Sequence, residues 1–226
     1  MSDVHTLSAF ENALNDLSAR STQMGKDVCN MVDGCVAIFL ERDNDAAKDF
    51  IQADLAIDRQ KDALISATMQ IIARHQPVAA DLRLVLAIEH VASDLERTAD
   101  HAKNIAKRTL SLNSGSEFDH AIRDQIVRLH QTVSAMLTDA MTSFQNADIA
   151  AATEVSRRDH IPDGIYDDLF HAVIARIQTD SSDAASDIHA LFVGKSLERI
   201  GDHATNIADE ACFLARGELP SATRKP

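Results

Sequence analysis

Leu95-Glu96-Arg97-Thr98-Ala99-Asp100-His101-Ala102-Lys103-Asn104-Ile105-Ala106 returns 102 positions later as Leu197-Glu198-Arg199-Ile200-Gly201-Asp202-His203-Ala204-Thr205-Asn206-Ile207-Ala208, with nine of the twelve letters unchanged. A repeat at about half the length of a 226-residue chain means two copies of one structural unit. The unchanged letters include Glu, Arg, Asp, His and Asn. Packing alone would not need those polar letters twice.

Working outward, Leu84, Ile88, Val91, Leu95, Ala102 and Ile105 follow the spacing of one buried helix stripe around the first copy. Upstream, Leu7, Phe10, Leu14, Leu17, Ser21, Met24, Val28, Met31, Cys35 and Ile38 predict a long helix over residues 6–42. A polar joint at Arg42-Asp43-Asn44-Asp45 opens a second helix, which must end before Pro77 because the residue preceding proline is pushed out of the α region. The third helix, carrying the repeat, runs to the small and polar cluster at Ser111 to Gly115. The second half follows the same plan. Ile122, Ile126, Leu129, Val133, Met136, Ala140 and Phe144 stripe a fourth helix, a fifth spans about 148–179, and a sixth ends near Gly217.

The predicted fold is therefore all-α: two tandem three-helix up-down-up bundles over 1–115 and 116–217, related by internal duplication, with a disordered tail at 218–226. One irregularity is expected. Pro162-Asp163-Gly164 lies inside the fifth helix, where the proline ring clashes with the carbonyl of residue 158, so a kink or break is predicted within 158–164.

Composition fits a helical bundle, with only seven Gly, four Pro, one Tyr and no Trp. A formal charge of −13 would repel a phosphate backbone, which argues against nucleic acid and towards cations or basic protein surfaces. Cys29, Cys35 and Cys212 sit in apolar helical contexts without CxxC spacing, as expected for buried thiols in a reducing compartment. The start Met1-Ser2-Asp3-Val4-His5 has neither the positive charge nor the apolar stretch of a signal peptide. A cytoplasmic protein is expected, with any membrane association peripheral.

The chemistry lies in the acids. Glu96 with Asp100, and Glu198 with Asp202, stand four apart, so each pair projects from one helix face; Asn104 and Asn206 continue those faces. The preceding helices carry Asp54, Asp58 and Asp62, and Asp159, Asp163 and Asp167, at the same spacing. In an antiparallel hairpin, residues at one height have numbers with a constant sum. Asp54 with Asp100 and Asp58 with Glu96 share a sum centred on Pro77, and Asp159 with Asp202 and Asp163 with Glu198 share one centred on the second turn. Each hairpin is thus expected to gather four carboxylates.

Two carboxylates about 5 Å apart repel by roughly 3 kcal/mol at an effective dielectric near 20, so four require neutralisation. An oxygen-rich ligand set suits magnesium, manganese, calcium or iron, and His101 and His203, one residue beyond the Asp of each pair, offer nitrogen ligands that favour iron, manganese or zinc. Two other readings stand beside this one. The acids could pair with Arg97, Arg199, Lys61 and Lys103 in a structural helical adaptor, or build a carboxylate-bridged metalloenzyme of the ferritin-like kind. The second is disfavoured by the five-residue step from Glu96 to His101 and from Glu198 to His203, where that motif uses three.

Gln76-Pro77-Val78-Ala79-Ala80-Asp81-Leu82-Arg83-Leu84-Val85, followed by the two Glu-Arg-x-x-Asp helices, closely resembles the PhoU family, and the likeness covers essentially the whole chain. The resemblance implies a non-enzymatic accessory protein of phosphate homeostasis. Such a protein restrains the high-affinity phosphate ABC transporter and helps hold the sensor histidine kinase of the phosphate regulon in its repressing mode. It also implies a homodimer, peripheral at the inner face of the membrane. The family's metal motif maps onto Glu96/Asp100 and Glu198/Asp202, with Asp54/Asp58 and Asp159/Asp163 on the partner helices, and implies iron, zinc, manganese or magnesium as cofactor. Pro162 and Gly164 depart from the regular pattern, so the second site is expected to be the weaker one.

Overall fold

The computed structural model describes residues 2–112 and 118–218. The helices are α1 (Ser2–Glu41), α2 (Asn44–His75), α3 (Ala79–Thr109), α4 (His120–Asn146), α5 (Ile149–Arg157), α6 (His160–Thr179) and α7 (Ala184–Arg216). The fifth helix expected from the sequence is present as α5 and α6, parted at Arg158 and Asp159. Pro162 causes this locally. Placed in the first turn of α6, its missing N–H is one that no helix would satisfy, and residue 158, whose carbonyl its ring would strike, is already outside that helix. The expected boundary at 115/116 and nearly all of the expected tail lie outside the described residues.

Helix starts are set by side chains that accept from orphan backbone N–H groups. Asp43 accepts from Asp45 and Ala46, Asp119 from Ala121, and Asp148 from Ala150 and Ala151. Gly217 stops α7 in the left-handed region, φ 80°, where glycine alone has no steric penalty. The α2–α3 turn is only Gln76-Pro77-Val78, and Gln76 closes α2 with its N–H bonded to the Ile72 carbonyl.

The stripes expected for α3 and α4 are buried almost throughout, from Ile88 to Ile105 and from Ile122 to Phe144. In α1 the buried face drifts. Met31 and Ile38 are half-buried, while Val32, Val36 and Phe39 reach the core. A 3.6-residue helix cannot hold a strict seven-residue register over forty residues, and α1 packs on α2, α3 and α4 together. One continuous core joins both halves. Each large aliphatic side chain in it contributes about 1.5–3 kcal/mol through burial.

The repeat helices α3 and α7 form the seam between the halves. His90 meets Glu210, Asp94 meets His203 and Asn206, and His101 meets His203, so the two helices run antiparallel. Helix α2 packs outside α3, and α6 outside α7. Burial pushes the Cys35 thiol up to about 12 and that of Cys29 to about 11, so both are inert at neutral pH. Among the described residues, no helix is long and apolar enough to cross a membrane.

Candidate functional site

In the first hairpin the acids of α2 and α3 meet lysines. Asp54 is buried, and its Oδ2 lies 2.5 Å from Lys103 Nζ, which is also 2.5 Å from Asp100 Oδ1. Lys61 Nζ, from α2, lies 3.1 Å from Glu96 Oε2 on α3. Burial works against charge on Lys103, but its hydrogen bonds to Asp100 and Asp54 outweigh that, so its pKa is raised and it stays an ammonium. Asp58 is half-buried and Asp62 exposed.

The second hairpin has the same acids and a different neutralisation. Asp159 ends the α5–α6 break, and its Oδ1 accepts from the Thr205 hydroxyl at 2.8 Å. Asp163 follows in the first turn of α6. Its pKa is raised, first by desolvation and then by the charges of Glu198, Asp202 and Asp159, with Lys195 opposing. The carboxylates of α6 and α7 therefore share one electrostatic neighbourhood. Lys195 is 2.5 Å from Glu198 Oε2, and Arg199 3.1 Å from Asp202 Oδ2, each bond formed within α7 between residues three apart. Asp167 lies on the exposed side of α6.

His101 and His203 meet each other at the seam, their rings stacked at 5.6 Å. His203 Nδ1 lies 2.8 Å from Asp94 Oδ1, and the Asn206 amide donates to that same oxygen at 3.1 Å. The His101 pKa is lowered by burial and by the nearby charges of His203 and Arg199. Among the described residues, no three His, Cys, Asp or Glu side chains are arranged as a metal-ligand set. In the second hairpin the oxygens also come from two helices, the donor type a hard cation takes, and among the described residues no Lys or Arg there pairs with a carboxylate of each helix; Lys195, bonded to Glu198, has its Nζ 5.5 Å from the Tyr166 ring of α6. In the first hairpin three acids already hold an ammonium, Asp54 and Asp100 that of Lys103 and Glu96 that of Lys61.

Sequence reasoning named Lys61 and Lys103 only as available counter-charges and passed over Asp94, His90 and Glu210. These last three line a polar cleft of about 360 Å³ at the seam, together with Ser93, Arg97, Asn206 and Asp209. The one signal for Lys103 was in plain view, since it is one of three letters that change between the repeats, standing where the second copy has Thr205.

The model of the PhoU domain matches the chain twice, over residues 21–109 and 126–211. The chain belongs to the PhoU family. PhoU homologues named as phosphate-specific transport system accessory proteins are similar over nearly the full length. The one from Caulobacter vibrioides is 34% identical, spanning 97% of this chain and 95% of the relative, and that from Rhizobium meliloti 31% identical, spanning 99% and 94%. The crystal structure of PhoU from Pseudomonas aeruginosa superposes with a TM-score of 0.87 at 28% identity, covering 92% of this chain and 100% of that one. The phosphate transport system regulatory protein PhoU from Streptococcus pneumoniae gives 0.85 at 25% identity, covering 93% and 99%.

Proposed function

We propose that this PhoU-family chain is a regulatory accessory protein of phosphate-specific transport and not an enzyme. It restrains a phosphate ABC transporter and the associated sensor histidine kinase when phosphate is plentiful. It acts through protein contacts at the cytoplasmic face of the membrane, as a homodimer. The observation that carries this reading is the full-length similarity to transport accessory proteins, in both sequence and fold.

The acids give the regulator a physical handle. The charges of Glu198 and Asp202 on α7 help raise the pKa of Asp163 on α6, so a bound divalent cation would relieve that repulsion and join the two helices, and its loss would let them repel and change the surface shown to partners. Asp159, Asp163, Glu198 and Asp202 would hold the ion, with magnesium, manganese, iron or zinc as candidates. The test is genetic and biochemical together. Cells lacking the protein should express phosphate-starvation genes in phosphate-rich medium, and the tagged protein should recover transporter and kinase subunits from membranes. Normal repression in the deletion strain would refute the reading.

A further inference from the structure

The two hairpins carry equivalent acids but not equivalent cations. Aligning the repeats sets Lys103 against Thr205 on the inner helices, and Lys61 against Tyr166 on the outer ones. Both substitutions remove a positive charge from the second half. In the first half Lys103 Nζ touches one carboxylate from each helix, Asp54 on α2 and Asp100 on α3. A bridging metal ion would make that same contact, and the ammonium is its stand-in. We propose that Lys103 is the resident cation of the first hairpin, closing that site to metal, so that the chain takes divalent cations through its second half alone.

This inference rests on the reading of the carboxylates as cation ligands, and it reverses the expectation that Pro162 leaves the second half the poorer site. Several observations support the reversal. The Lys103 side chain is only 18% exposed, and Asp54 beneath it 4%, so the ammonium cannot swing into water without abandoning a buried carboxylate. A tethered cation also competes at a high effective concentration, whereas a free ion must shed its waters to enter. Lys61 adds a second fixed positive charge against Glu96. The nearest counterpart in the second half, Lys195, is 45% exposed and bonds Glu198 on its own helix, with its Nζ 5.5 Å from the Tyr166 ring of α6, so it can release Glu198 to an incoming ion while keeping water and an aromatic face as partners. The break at Asp159 does not remove its oxygens, because the Thr205 hydroxyl, in the place of Lys103, gives Asp159 a neutral donor and no bridging ammonium.

The experiment is Mn²⁺ binding by the full-length chain, read by calorimetry and by elemental analysis after desalting. It compares the wild type with Glu96→Ala/Asp100→Ala, Glu198→Ala/Asp202→Ala and Lys103→Thr. The first pair should leave bound Mn²⁺ unchanged, the second should abolish it, and Lys103→Thr should add on the order of one ion per chain. Lys103→Gln, which loses the charge but keeps a donor for Asp54, is run alongside, with folding followed by circular dichroism. Either folded Lys103 variant gaining Mn²⁺ supports the proposal. No gain in either, or an equal loss of metal from the two Ala pairs, overturns it. If the wild type binds nothing while a Lys103 variant does, the cation reading of the second half fails and the role of Lys103 stands.

Discussion

The first hairpin spends a lysine where the second spends a threonine, and most differences between the halves follow from that exchange. In the first half α2 is an unbroken helix over 32 residues, and Lys103 between Asp54 and Asp100, with Lys61 on Glu96, pairs three of the four facing acids without outside help. In the second half Asp159 meets a hydroxyl and Asp202 a surface arginine, and the outer helix is broken beside Asp159 and Asp163. Duplication gave both halves the same frame. Divergence at two positions gave one half lysines that reach both helices of its hairpin and left the other with a hydroxyl and a phenol at the same places.

The comparison breaks most sharply at the lysine itself. Lys103→Met leaves a carboxylate that is 4% exposed without its counter-charge, and removing one partner of a buried ion pair costs about 3 kcal/mol or more. Thr205→Ala, its equivalent, removes a hydroxyl bond to a half-buried acid and should cost about 1 kcal/mol. Urea unfolding of both variants in metal-free buffer measures the difference. Equal losses would mean that the halves neutralise their acids alike.

A smaller effect separates the glycines of α7 from the alanines of α3. Gly194 and Gly201 stand where the first copy has Ala92 and Ala99. A methyl group at Gly194 would lie 2.5 Å from Leu169 Cδ2 and 3.0 Å from Tyr166 Cδ2, so α6 packs too closely on α7 for any side chain there. At Gly201 the neighbour is Pro162, whose Cγ would be 3.2 Å away. Gly194→Ala should therefore destabilise by about 1 kcal/mol, an overpacking cost of about 2 offset in part by the roughly 1 kcal/mol better helix propensity of alanine. A rise in thermal midpoint would show that the close approach of α6 is not needed.

The helices and their order were legible in the sequence because the stripes are long and periodic, and Pro162 marked the break of the fifth helix to within a few residues. The hairpin partners were legible only to within a turn. Equal-height arithmetic paired Asp54 with Asp100 and Asp58 with Glu96, whereas the structure pairs Asp54 with Lys103, Lys61 with Glu96 and Asp159 with Thr205, each three positions further on in total. Helical side chains lean toward the N-terminus of their own helix, so on an antiparallel pair each residue covers a spot about one position before its Cα. Both partners must then come from later in the chain than equal heights suggest, and the reach of lysine supplies the rest. The seam was illegible for another reason. Asp94, His90 and Glu210 belong to no motif and meet only when the two repeats pack face to face.

The finest contrast lies along that seam, where the repeats place His90 against Glu210 at one end and Phe192 against Arg108 at the other. Glu210 is 7% exposed; His90 Nδ1 is 3.0 Å from its Oε1, while Oε2 is buried with no hydrogen-bond partner. Burial raises its pKa above the ordinary 4.5, and the His90 hydrogen bond only partly opposes this. The folded chain thus holds this proton more tightly than the unfolded one. A raised acid favours the folded state while protonated, and that advantage is lost as pH climbs from 4.5 through the folded value. At pH 7 the group costs stability. Glu210→Gln, which keeps an acceptor for His90 and removes the charge, should raise the thermal midpoint slightly at pH 7 and leave it unchanged near pH 4, where both side chains are neutral. Arg108→Gln at the opposite end should show the other sense: burial and the Arg108 charge lower the His189 pKa, so removing that charge favours the folded state more near pH 4, where the imidazole is protonated, than at pH 7. A lower midpoint for Glu210→Gln at pH 7 would mean that the buried carboxylate is held as an anion and that the seam is stabilised by its charge.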